Sequence, residues 1–146
     1  MRFLASALAA LALAGCSRDA VDAAQSWPEL EAALRATRGE PLEPVDLLGT
    51  RRWDRLYVFG PYTRREEIDR KIGFEWRGAT AIEIQDAVQL LLLVDGNRVA
   101  RAVDLPRGKA DFGCLAKRPV RRADRLVVKR EPGKVPVVSL VGQRCR

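Results

Sequence analysis

Short runs of apolar residues in the second half of the chain predict a set of β-strands. Residues 88–94 are apolar on both faces, which is typical of a strand in the centre of a sheet. The Asp95-Gly96 pair that follows favours a tight hairpin turn into a second strand at residues 98–105. Residues 131–134 contain a Pro-Gly turn and predict a second hairpin. The other predicted strands span residues 45–48, 56–59, 126–129 and 135–141.

Two helices are predicted in the first half of the chain, where apolar residues recur every three or four positions. The first has Leu30 and Leu34 on one face and begins with a capping box at residues 26–29. The second begins with a capping box at residues 63–66 and ends at Gly73. We therefore expect an α+β fold, in which an antiparallel sheet carries two short helices packed on one face, in a single small domain.

The beginning of the chain has the layout of a secretory signal. Arg2 supplies a positive charge, and residues 4–14 form an apolar run that only Ser6 interrupts. A transmembrane helix needs about 20 apolar residues, roughly twice the length of this run. The segment therefore predicts export rather than a permanent membrane span.

The sequence Leu13-Ala14-Gly15-Cys16 ends this run and resembles the lipobox of bacterial lipoproteins. The resemblance implies cleavage before Cys16 and attachment of acyl chains such as palmitate to that cysteine, which together hold a protein stably in a membrane. It divides the chain into a signal peptide (1–15), a lipidated tether (16–25) and an α+β domain (26–146). Ser17 follows the cysteine, where inner-membrane lipoproteins of enteric type carry Asp, which favours the outer membrane with the domain facing the periplasm. The alternative is an ordinary secreted protein cut near Ala14.

Two cysteines remain after lipidation, and their compartment favours a disulfide bond. Cys114 and Cys145 form an even pair, and disulfides persist outside the cytoplasm. A bond between them would hold the C-terminus, which otherwise frays. Free thiols or one redox-active cysteine are the alternative, although the chain has no C-x-x-C motif.

The absence of histidine limits the chemistry of this protein. No Ser–His, Cys–His or histidine-based zinc mechanism is available, and we predict no catalytic residue, no metal ligand and no cofactor. A hydrolase built on two carboxylates is the enzymatic alternative. Its candidates lie before the central strand: Asp54, Glu66, Glu67, Glu75, Glu83 and Asp86.

The densest aromatic cluster lies between residues 53 and 63. It reads W-x-x-x-Y-x-F-x-P-Y-T, and along a strand Trp53, Tyr57 and Phe59 would share one face. This segment is similar to one found in a group of uncharacterised bacterial lipoproteins, a resemblance that implies no activity. We expect the aromatic residues to lie in the core. The functional alternative is that Tyr62 and Trp76 are exposed anchors of a binding surface.

Basic residues exceed acidic ones and occur largely as doublets. The formal net charge is +7, and the doublets include Arg64-Arg65 and Arg121-Arg122. If residues 117–125 and the second helix meet, they form a basic patch; if they do not, the doublets are a solvated surface. Nucleic acid is not expected outside the cytoplasm. Candidate partners are an acidic protein, lipopolysaccharide or the cell wall, in addition to the membrane that holds the lipid anchor.

These features predict an envelope lipoprotein that acts as a non-catalytic binding module for an acidic protein or an anionic envelope component. An immunity or inhibitor protein is one specific form of this hypothesis. The alternative is a structural or assembly accessory of the outer membrane, and an enzyme comes third.

Overall fold

The computed structural model describes residues 20–145, which form a mixed set of short helices and strands. The lipobox, Cys16 and the first part of the predicted tether lie outside the described residues. The helices are α1 (Pro28–Ala36), α2 (Pro44–Leu48) and α3 (Arg65–Ile72), with a 3-10 helix at Gly113–Lys117. The strands are β1 (Arg55–Phe59), β2 (Val88–Asp95), β3 (Arg98–Pro106), β4 (Val120–Arg121), β5 (Leu126–Lys129) and β6 (Val137–Leu140).

The strands form an antiparallel four-stranded sheet and a separate hairpin. The four-stranded sheet has the order β3-β2-β1-β4, and β5 pairs with β6. The α+β class, the antiparallel sheet, the single domain and both predicted hairpins are confirmed. Strand β2 lies inside the sheet and is buried along nearly its whole length, as its continuous apolar run predicts.

The sheet is covered on both faces. Alternate residues of β2 belong to two separate apolar clusters, with Leu91 and Leu93 in one and Leu90 and Leu92 in the other. Helices α1 and α2 contribute to the first cluster together with β5 and β6, whereas α3 contributes to the second. The structure therefore differs from the expected arrangement: residues 20–145 form three α-helices, which are divided between the two faces.

The strand predicted at residues 45–48 is wrong, because this segment is helix α2. Pro44 occupies the first turn of that helix, where its fixed φ angle is favourable and its missing N–H costs nothing. The Asp46 carboxylate accepts a hydrogen bond from the Glu43 N–H at 3.0 Å. A four-residue apolar run does not by itself distinguish a strand from a buried helical turn.

The two predicted capping boxes are also wrong, although both helices exist. Helix α1 has Trp27 at its N-cap and α3 has Arg64, and neither side chain makes a capping hydrogen bond. The Thr63 hydroxyl instead donates to the Gly60 carbonyl at 2.8 Å, within the preceding turn. The predicted stop at Gly73 is confirmed, since this residue is left-handed with φ 87° and donates its N–H to the Asp69 carbonyl.

The aromatic residues are divided between the two faces of the sheet. Tyr57 and Phe59 stack in the second cluster with their ring centroids 6.3 Å apart. Trp53 lies in the first cluster, so the expected shared face is wrong. The reason is that β1 begins only at Arg55, and the irregular chain before it does not continue the strand alternation.

The chain before α1 is packed against the domain over residues 20–25, which we call the strap. Ala24 forms a parallel bridge with Val103 at the edge of β3, and the Ala23 N–H donates to the Ala79 carbonyl at 2.8 Å. The Val21 carbonyl accepts a hydrogen bond from the indole N–H of Trp76 at 2.9 Å. Residues 20–25, which the sequence assigns to the lipidated tether, therefore pack against the domain.

Gly78 permits the close approach of the strap. A Cβ atom at this position would clash with the Val21 carbonyl and lie 2.5 Å from the Trp76 ring. Gly78 does not have a positive φ angle, so the constraint is the lack of space rather than the backbone conformation.

The predicted disulfide bond is confirmed. Cys114 and Cys145 are bonded, with their Cα atoms 5.5 Å apart and a sequence separation of 31 residues. Gln143 reinforces this connection, since its side-chain amide donates to the Cys114 carbonyl at 2.8 Å. The C-terminal segment is thus fixed to the 3-10 helix by one covalent and one polar contact.

We predict that Gly78→Ala displaces the strap. The added methyl group overfills a tight contact, a change that typically lowers the free energy of unfolding by about 1–3 kcal/mol. Thermal unfolding and limited proteolysis near Val21 measure the effect. Gly108→Ala is the matched control, because a Cβ there meets no atom within 4 Å. Equal behaviour of the two variants would contradict this account of the strap.

We predict that reduction of the disulfide destabilises the domain. Closing a loop of 31 residues stabilises a protein by about 3–4 kcal/mol in the chain-entropy model. Cys145→Ser or added reductant should lower the melting temperature by on the order of 10 °C. The reductant should have no further effect on Cys145→Ser; a second drop in that variant would show that it acts elsewhere.

Candidate binding surface

Arginines from three parts of the chain lie at one end of the sheet. Arg55, the first residue of β1, pairs with Val94 near the end of β2 and with Arg121 in β4. The β2–β3 hairpin turns at the same end, since Asp95 pairs with Arg98. The antiparallel register therefore collects five arginines, which we call the arginine end: Arg51, Arg52, Arg98, Arg121 and Arg122.

Hydrogen bonds fix the hairpin to the start of β1 and make this end rigid. The Asp54 N–H donates to the Val94 carbonyl at 2.8 Å, and the Gly96 N–H donates to the Asp54 carboxylate at 3.1 Å. The Arg55 guanidinium donates to the Gly96 carbonyl at 2.6 Å. Burial alone would raise the pKa of Asp54, but the hydrogen bonds from Arg55 and Gly96 outweigh it and hold that pKa below its usual value.

The arginines of this end differ in how strongly they are engaged. Arg52 and Arg98 share the Asp95 carboxylate, at 3.3 and 3.2 Å. Within residues 20–145, neither Arg51 nor Arg121 forms an ion pair, and both side chains are exposed. These two guanidinium groups are therefore available to an external anion.

Arg122 has a structural role as well as a charge. Its guanidinium lies 5.2 Å from the centre of the Trp53 ring and donates to the carbonyls of Arg51 and Trp53, each at 3.3 Å. It thereby holds the chain that carries Arg51. Reversal of its charge would disturb the fold, so Arg121 and Arg122 are not equivalent, although the sequence places them in one doublet.

An exposed ion pair shapes the loop that presents Arg121. Arg118 donates to both carboxylate oxygens of Asp124 at 2.9 Å, and the Arg121 N–H donates to the same carboxylate at 2.7 Å. The hydrogen bonds from Arg118 lower the pKa of Asp124 despite its partial burial. The ionised carboxylate therefore connects the residues before and after Val120 and holds the end of β4 against the turn that follows it.

The predicted patch that joins residues 117–125 to the second helix does not form. Arg64 and Arg65 follow the end of β1, whereas Arg121 pairs with its beginning. Arg65 is instead engaged within the domain: it lies 4.8 Å from the centre of the Trp76 ring and donates to the Gly78 carbonyl at 2.8 Å. Arg122 lies against the chain that carries Arg51 and Arg52, a doublet that sequence reasoning did not place beside it.

Of the two predicted aromatic anchors, one is exposed and the other is buried. Trp76 is only 3% exposed and packs in the core under Arg65, so its assignment as a surface anchor is wrong. Tyr62 is 61% exposed and has a positive φ angle of 61°, a conformation in which glycine is the usual residue. Its N–H donates to the Ile82 carbonyl, close to Ile84, which is 80% exposed.

This second surface lies at the opposite end of the sheet, and we call it the tyrosine end. It contains Tyr62 and Ile84, together with Arg64 and Arg107. Arg107 belongs to it because β3 ends at Pro106, which pairs with the first residue of β2. The two ends are separated by the length of β2, 8 residues or roughly 25 Å.

The carboxylates that could serve a hydrolase are dispersed and largely paired with bases. Asp54, Glu67, Glu75 and Glu83 each form an ion pair, with Arg55, Lys71, Arg77 and Arg65 respectively. Within residues 20–145, no group of three or more Cys, Asp or Glu side chains is placed to hold a metal ion. In the same range, no helix is long and apolar enough to cross a membrane.

No family model, curated protein or solved structure matches the chain.

We predict that the Asp124 carboxylate stabilises the domain in a defined pH range. Because its folded pKa is lowered, the stabilisation is complete above the unfolded value of 3.8 and is lost as the pH falls through the folded pKa. Asp124→Asn should lower the melting temperature at pH 7 and converge with the parent protein at the lowest pH. A difference that persists unchanged in acid would contradict this role.

Proposed function

We propose that this protein is a lipid-anchored envelope protein whose arginine end binds anionic components of the envelope without catalysis. The single observation that carries the proposal is that five arginines lie at one end of the sheet, which hydrogen bonds hold together: Arg51, Arg52, Arg98, Arg121 and Arg122. Guanidinium groups match the geometry of phosphate oxygens and form bidentate hydrogen bonds with them.

The electrostatics of the neighbouring residues support an anionic ligand. Burial lowers the pKa of Arg101, and although Glu29 opposes this effect, the nearby charge of Arg51 adds to it. Arg51 thus repels Arg101, although less strongly than Glu29 attracts it, and within residues 20–145 Arg51 forms no ion pair of its own. An anion bound at this end relieves such repulsion and is attracted over about 8 Å at physiological salt.

Two features of the chain support its location in the envelope. The sequence at residues 13–16 resembles a lipobox, which supplies an anchor at Cys16. The Cys114–Cys145 disulfide is typical of proteins that fold outside the cytoplasm. Outer-membrane attachment, with the domain facing the periplasm, rests on Ser17 and forms part of the same proposal.

A protein-docking role is the second candidate, and the tyrosine end favours it. Tyr62 and Ile84 are exposed, and Tyr62 has a backbone conformation that is unfavourable for a side chain of its size. Aromatic residues are common anchors of protein interfaces. An immunity, inhibitor or assembly role would use this end, and Tyr62→Ala would then weaken capture of a protein partner without changing the binding of phosphates.

We predict that Arg51→Glu/Arg121→Glu greatly weakens binding to anionic vesicles. Each arginine near an anionic surface contributes about 1 kcal/mol, so the loss of two should reduce affinity by at least about 30-fold, and the reversed charges should reduce it further. Cosedimentation of the chain from residue 16, with Cys16→Ser, measures binding to phosphatidylglycerol vesicles over a range of salt concentrations. Arg122 is left unchanged because it supports Trp53.

The control variant carries the same change of charge at the other end. Arg64 and Arg107 are both exposed, and within residues 20–145 neither forms an ion pair. Arg64→Glu/Arg107→Glu should retain most of the binding. If the two double variants lose affinity equally, the net charge of the protein determines binding and the arginine end is not a site.

A further inference from the structure

The strap fixes the chain as far as Val21 and leaves little free length before Cys16. The Ala24 N–H donates to the Ala102 carbonyl at 2.9 Å, and the Asp104 N–H donates to the Ala24 carbonyl at 2.8 Å. Val21 is held in addition by the indole of Trp76. These contacts involve the buried edge of β3 and a core tryptophan, so the strap is part of the domain rather than a flexible linker.

The strap leaves the domain at the arginine end. It runs parallel to β3, so its N-terminal residues lie beside the first residues of that strand. Ala20 and Val21 line a cavity of about 190 Å³ together with Asn97 and Arg98 of the hairpin. The point at which the chain departs toward Cys16 and the arginine end are therefore on the same side of the molecule.

The remaining chain is short compared with the domain. Four peptide units join Cys16 to Ala20 and span at most about 14 Å when fully extended. The two ends of the sheet are roughly 25 Å apart along β2. A lipid on Cys16 therefore holds the arginine end near the headgroups and does not allow the domain to turn that end away.

We propose that the strap orients the domain, with the arginine end against the phosphate headgroups of the leaflet that holds the lipid anchor and the tyrosine end directed away from it. This inference rests on the proposed function, because it requires both the anchor at Cys16 and the affinity of the arginine end for phosphate. The ligand of the arginine end is then the membrane in which the lipid anchor is inserted. Because the anchor keeps the domain at the membrane surface, the arginine end is exposed to a high effective concentration of the lipid phosphates in that leaflet.

The orientation is measured on the full lipidated chain in vesicles. A fluorophore is attached either through Asn97→Cys at the hairpin or through Gln85→Cys at the tyrosine end, both of which are exposed positions. Energy transfer to a headgroup-labelled lipid reports the distance of each end from the bilayer. We expect strong transfer from residue 97 and weak transfer from residue 85. Equal transfer from both positions would overturn the proposal.

A lengthened tether tests the role of the strap without altering the folded domain. A Gly/Ser insertion of about ten residues between Arg18 and Asp19 gives a flexible tether with a root-mean-square length of about 20 Å. In vesicles of neutral phosphatidylcholine, the difference between the two labels should disappear in the insertion variant and persist with the natural tether. If the difference survives the insertion in neutral vesicles, the short tether does not orient the domain.

Separate measurements distinguish failure of this inference from failure of the proposed function. Loss of labelled palmitate from Cys16→Ala tests the anchor, and salt-dependent cosedimentation of the unlipidated chain tests phosphate binding. If both succeed while the two labels transfer equally, only the orientation is wrong. If cosedimentation shows no preference for phosphatidylglycerol over neutral phosphatidylcholine, the proposed function is wrong. The proposed contact between the arginine end and the headgroups is then wrong as well.

Discussion

Burial of β2 on both faces is the constraint on which the rest of this structure depends. Residues 90–94 are almost completely inaccessible and their side chains alternate between two clusters. A strand of this kind is stable only when each face of the sheet is covered by its own layer. Helices α1 and α2 with the β5–β6 hairpin form one layer, and α3 with the chain that follows it forms the other. The open surfaces are consequently the ends and edges of the sheet, and the charged side chains of the loops collect there.

The position of the arginine end follows from that arrangement. Because β1 and β2 are antiparallel neighbours, the residues before β1 and those of the β2–β3 hairpin are brought together. Arg52 and Arg98 thus share the Asp95 carboxylate although they lie far apart in sequence. Strand β4 adds Arg121 through a pairing of only two residues, which the Arg118–Asp124 ion pair directs. The arginine end therefore arises from the order and pairing of the strands, and no motif in the sequence marks it.

Much of the fold could be predicted from the sequence, because its signals are local. Turn residues such as Gly96 and the short apolar runs beside them locate both hairpins, and the even cysteine count predicts the disulfide. The strap gave no such signal: its Ala-rich, polar sequence is held by backbone hydrogen bonds and by Trp76 and Gly78, more than fifty residues away. The position of Trp76 was equally hard to predict, and a surface location was one of two alternatives. Its indole donates to the Val21 carbonyl, and nothing near Trp76 in the sequence indicates that partner. The contact between Arg122 and the Arg51 carbonyl depends on the two-residue strand β4, which is too short to leave a pattern.

The strap also has a consequence for the exposed edge of the sheet. An edge strand such as β3 presents unpaired N–H and C=O groups that can recruit a strand from another molecule. Ala24 occupies the backbone groups of Ala102 and Asp104 and so covers the middle of this edge. On the opposite side, β4 is only two residues long and carries Arg121, which makes a poor template for pairing. The strap therefore protects the protein against self-association through this edge of its sheet.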